Sequence, residues 1–103
     1  MLRITKHIIL VGDSTGRLIT LQQRIREIAP EATSYISDIC SIREILCSQP
    51  VDMILVHTRD TVWLPLVQRI RQERLADKVP VFVCREPLEE MVLKELLNGA
   101  YKY

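Results

Sequence analysis

Cysteine is scarce and odd in number: Cys40, Cys47 and Cys84 are the three in the chain, and none belongs to a CxxC pair. Such spacing excludes a disulfide framework and a zinc site of the finger type. Each cysteine lies in an apolar segment and reads as a small core hydrophobe in a protein of the reducing cytoplasm. Glycine (3) and proline (5) are also few, in a chain that is 48% hydrophobic and 26% charged. Few breakers and ample apolar content exclude collagen-like and disordered chains, so this one should fold. Nor does one sign of charge dominate: 14 Lys and Arg against 13 Asp and Glu leave a net +1. That excludes broad attraction to phosphate backbones or anionic lipid, and with it direct nucleic-acid binding by this segment. Apolar runs are short, as in Ile8-Ile9-Leu10-Val11. They fall far below the ~20 residues of a membrane span, and no signal-peptide pattern precedes them, so a soluble, non-exported protein is expected. Gly12 and Gly16 flank Asp13-Ser14-Thr15 without a GxGxxG or Gly-Lys-Ser/Thr motif, which argues against a nucleotide loop.

What is present is an alternation of two hydrophobic periods through all 103 residues, enough for a single domain, 1–103. His7 to Val11 and Met53 to Val56 are continuous aliphatic runs, the pattern of strands buried on both faces. Thr33 to Ser37 is a shorter strand, and Val79 to Cys84 a strand with Pro80 near its start, where a missing N–H is tolerated. Between them, Leu18, Leu21, Ile25 and Ile28 recur at helical spacing, with Arg17, Arg24 and Glu27 outside that stripe. Ser41 with Glu44 predicts a capping box for a second helix, and Leu66, Val67 and Ile70 the buried side of a third. The polar residues His57 to Asp60 predict a loop, and Pro87 to Leu97 a fourth helix. The order βαβαβαβα requires crossover connections, hence an α/β fold with a doubly wound parallel sheet and helices on both faces. Chemistry in such sheets sits beyond the carboxyl ends of the strands, which here carry Gly12, Asp13 and Ser14, then His57 to Asp60, then Arg85 with Glu86.

These segments, together with Asn98-Gly99-Ala100-Tyr101-Lys102-Tyr103, resemble the flavodoxin-like receiver domain of bacterial two-component response regulators over essentially the whole chain. The resemblance implies the strand order 2-1-3-4 and a phosphorylation pocket with two acids after the first strand, a phosphoacceptor Asp after the third, Ser or Thr after the fourth and a Lys after a fifth. Here the first acid falls on Gly12 and only Asp13 remains; the acceptor falls on His57 and the Ser/Thr position on Arg85. The fifth strand is absent from the chain by this alignment, and the lysine lies beyond Tyr103, as in a domain cut short at its C-terminus.

Mg²⁺ needs several oxygen ligands, and one carboxylate is left where the family supplies three, beside a guanidinium that competes for it. Weak or absent Mg²⁺ binding and a degenerate pocket of Gly12, Asp13, His57 and Arg85 follow, with Asp13 paired by Arg85, His57 or both. His57 could also link the pocket to pH through a hydrogen bond to Asp13. The function the resemblance implies is a phosphorylation-independent interaction module in signal transduction, not an enzyme, with a DNA-binding output outside the chain. The alternative is a phosphoaccepting receiver that uses Asp60 with Mg²⁺. With no fifth strand, the fourth becomes an apolar edge, so protein partners are expected, a two-fold homodimer first among them.

Overall fold

In the computed structural model, which describes residues 7–58, 63–85 and 90–97, four strands form one all-parallel sheet in the order β2-β1-β3-β4. β1 (His7–Gly12) and β3 (Met53–Thr58) are central, and β2 (Thr33–Ile36) and β4 (Val81–Arg85) flank them. The expected sheet and strand order are therefore present, and the domain is a flavodoxin-like α/β fold. The central strands are aliphatic on both faces because both faces are covered: Ile8 to Val11 and Met53 to Val56 are all at most 3% exposed.

Alternation along the strands divides the core in two. Ile8, Leu10, Met53, Leu55 and Cys84 face one helical layer, while Ile9, Val11, Ile54 and Val56 face the other. The second layer is α2 (Ile42–Ser48), α3 (Trp63–Arg71) and a 3₁₀ turn at Arg74–Ala76, with Ile42, Ile70 and Ala76 buried. The first layer is α1 (Thr15–Ile28), through Leu18, Leu21 and Ile25, together with α4 (Glu90–Leu97), through Leu93 and Leu97. The placement of α4 on the α1 side departs from the receiver-like expectation. A right-handed crossover from β4 to a fifth strand on its outer side would run over the α2–α3 face, as α3 does between β3 and β4. α4 crosses the other face instead. Asn98 to Tyr103, where a step into a fifth strand was expected, lie outside the described residues, as does the start of the fourth helix at Pro87.

Three local expectations are corrected. Ser41 makes no side-chain cap on α2. Asp38 instead caps the turn that leads into the helix: its Oδ1 accepts from the backbone N–H of Cys40 at 3.0 Å and of Ser41 at 2.8 Å. The carboxylate wins because it takes two donors at once, and the Ser41 hydrogen bonds, then that of Cys40, hold its pKa below the ordinary 3.8. A lowered folded-state pKa means that this stabilisation is full above the unfolded value and is lost as pH falls through the folded one. An NMR titration should place the Asp38 midpoint below 3.8, and Asp38→Ala should speed amide exchange at Cys40 and Ser41. Unchanged exchange would remove the cap.

Cys40 and Cys47 are exposed rather than core residues, and only Cys84 is buried. In α2 only Ile42 is buried, Cys47 lies on the helix's outer side, and Cys40 sits in the exposed turn before it. Burial pushes the Cys84 thiol up to about 11, which suppresses its thiolate at neutral pH. A disulfide reagent applied near pH 8 should titrate Cys40 and Cys47 rapidly and Cys84 only after unfolding. A third fast thiol would overturn that assignment. The fourth strand begins at Val81 rather than Val79 and extends through Arg85, because Pro80 supplies only its carbonyl, to the N–H of Ile54 at 2.9 Å.

Candidate functional site

The sequence-derived candidates meet where β1 and β3 end. Gly12 pairs with His57, and β3 continues one residue further, with Thr58 opposite Arg85 of β4. The predicted loop from His57 to Asp60 is thus corrected at its start. His57 and Thr58 are strand residues, 2% and 0% exposed. Their polarity suggested a turn, but the ladder on both sides of β3 holds them. By alternation, the His57 imidazole lies on the α1 side of the sheet with Met53 and Leu55.

Gly12 occupies a position that tolerates no side chain. A Cβ built there would collide with the backbone carbonyl oxygen of His57 and come within 3.1 Å of Leu18 Cδ2. β1, β3 and α1 converge on that point, so the glycine is demanded by close approach rather than by an unusual backbone angle. The next residue, Asp13, is exposed. Among the described residues its carboxylate has no hydrogen-bond or ion-pair partner, so the expected pairing with His57 is not formed. Arg85 closes β4, and the expected contact of its guanidinium with Asp13 lies outside what the structure describes, as does Asp60. Among the described residues, no three His, Cys, Asp or Glu side chains converge as a metal-ligand set.

The structure adds a feature that the sequence reading missed. A cleft of about 280 Å³ opens beside α1, with Ser14 and Gly16 at one end, Arg17, Thr20 and Arg24 along the helix, and His57 reaching it from β3. Arg17 and Arg24 are half-buried, not solvated residues of the outer face. The spacing 17, 20/21, 24 was the available signal, since it places both arginines on one flank of the helix, next to the apolar stripe. Ser14 caps α1 by accepting from Arg17 N–H at 3.5 Å, and Thr20 donates its hydroxyl to the Gly16 carbonyl at 3.1 Å. No described helix is long and apolar enough to cross a membrane.

No family model matches the sequence. No curated protein matches it. Among solved structures, the fold is similar to a crystal structure from Burkholderia pseudomallei of a protein described as pilus assembly-related. The TM-score is 0.68 at 16% identity, covering 93% of this chain and 89% of that one. At such identity the likeness is one of fold.

Proposed function

We propose that this domain is a receiver-like interaction module of a signalling protein that works without phosphorylation. The observation that carries this reading is the Gly12–His57 pair. The position that aligns with a receiver's first metal-binding acid has no space for a side chain, because the carbonyl of His57 fills it. The position that aligns with the phosphoacceptor is an imidazole sealed within β3, 2% exposed. A phosphodonor must approach its nucleophile in line with a cation nearby, and neither requirement is supported by these two residues. On this reading the partners are proteins, a second copy included, with any DNA-binding output outside these 103 residues.

The test is incubation with Mg²⁺ and either a small-molecule phosphodonor or beryllofluoride. The expected result is no increase in intact mass and no amide shifts around Asp13 and His57. A phosphoryl adduct on Asp60 would overturn the reading in favour of a phosphoaccepting receiver.

A further inference from the structure

We infer that the cleft beside α1 is a binding site for a phosphate-type oxyanion, held by Arg17 with help from Arg24 and the start of α1. This inference is independent of whether the domain descends from receivers. The primary observation is Arg17: its Nη1 is buried and has no hydrogen-bond acceptor among the described residues, while the residue lines an open cleft. A guanidinium N–H withdrawn from water without an acceptor is disfavoured, and guanidinium forks match oxyanions in geometry and charge. Nη1 is closed to water in this conformation, so an anion in the cleft becomes its acceptor through a small turn of the guanidinium toward the opening.

The remaining lining points the same way. Arg24, engaged elsewhere in the protein as well, lies two turns along the same flank and adds a second positive charge. Among the described residues no acidic side chain lines the cleft; Asp13, the nearest in sequence, is not among its walls. Ser14 uses its hydroxyl oxygen as an acceptor toward Arg17 N–H, which leaves its O–H to donate. No acidic residue occupies the first turn of this 14-residue helix, so its positive end stays uncompensated there. A Cβ at Gly16 would meet nothing nearer than Ser14 Oγ at 4.0 Å, so this glycine keeps the mouth of the cleft open rather than serving the packing.

The start of a helix, the hydroxyl-bearing Ser14 and two arginines line one cleft, more donors than a carboxylate's two oxygens need and enough for the several oxygens of a phosphate. At about 280 Å³ the space fits a phosphate or phosphomonoester group and is below the usual size for a whole nucleotide.

The experiment is an NMR titration of the full chain with inorganic phosphate at constant ionic strength, carried into the ~10 mM range, where a millimolar site saturates. Parallel arms use methyl phosphate and acetate. Saturable shifts of the Gly16, Arg17 and Thr20 amides are expected with phosphate and not with acetate. Arg17→Met, which keeps the packing of the side-chain stem, should weaken binding by at least about tenfold. Arg24→Gln provides a second variant should Arg17→Met fold poorly, and it should weaken binding as well. Equal binding of methyl phosphate assigns the site to a phosphomonoester; preference for phosphate assigns it to the free ion. Absence of saturation, identical shifts with acetate, or wild-type binding by both variants would overturn the site.

Discussion

Gly12→Asp is expected to lower the stability of the domain by about 3 kcal/mol rather than restore an acidic pocket, since overpacking a tight site typically costs ~1–3 kcal/mol and here the obstacle is backbone. For a domain of this size that is a fall in Tm of roughly 12–24 °C. The cause is geometric. The first side-chain atom at position 12 meets the carbonyl oxygen of His57, an atom fixed by β3's own ladder, and Leu18 of α1 closes the remaining side. Relief would require β1 and β3 to separate at the centre of the sheet. Because the collision begins at Cβ, Gly12→Ala should already show most of the loss, and the carboxylate then adds the penalty of a charge placed against a carbonyl. Thermal unfolding of the three proteins measures this. A Gly12→Asp protein as stable as the parent, with Mg²⁺ raising its Tm, would mean that the pocket is a mutation away from receiver chemistry.

Leu93→Ala should cost about 2–5 kcal/mol, while Met91→Ala, two residues away on the same helix, should stay within about 0.5 kcal/mol. Leu93 is 0% exposed within the cluster formed by α1 and the α1-facing side chains of β1, β3 and β4, whereas Met91 is 72% exposed. Removing three side-chain carbons from the buried position leaves a cavity beneath α4 that the sheet cannot fill, because Leu55 and Cys84 are held by their strands. Urea unfolding midpoints report the difference. Equal effects of the two substitutions would mean that α4 is not seated on the α1 face.

The central strands were legible because Ile8 to Val11 and Met53 to Val56 are apolar without alternation, a pattern that only a sheet covered on both faces accommodates. The parallel sheet followed from the crossovers those strands require, whereas the strand order came only with the receiver resemblance. What was hidden depends on partners distant in sequence. His57 and Thr58 look like loop residues, yet their strand state is set by register with Gly12 and with Cys84 and Arg85. Ser41 and Glu44 have the capping-box spacing, but Asp38, further upstream, takes the Ser41 N–H that Glu44 would have reached, together with that of Cys40. The apolar neighbours of Cys40 and Cys47 gave no hint of exposure, because α2 is short and buries only Ile42 completely. Of the candidate site, the loss of the acid at Gly12 could be read directly. The reason it cannot return could not, because that reason is a backbone atom 45 residues away. The arginine cleft escaped because charged residues beside an apolar stripe usually face water.

The pairing of β1 with β3 also governs how the chain emerges during synthesis. Ile8 becomes available early, but its β3 neighbour, Met53, follows 45 positions later, which at ~5–20 residues per second is a wait of roughly 2–9 s. β2 arrives sooner, yet it is a four-residue strand and protects one edge of β1 only. Throughout that interval Ile8-Ile9-Leu10-Val11 is an uncharged aliphatic segment without Pro or Gly, able to pair with the same segment of another nascent chain. The quality that makes β1 central to the finished sheet makes it an aggregation-prone part of the unfinished one, and a holdase chaperone would be most useful to this domain at β1 until β3 emerges.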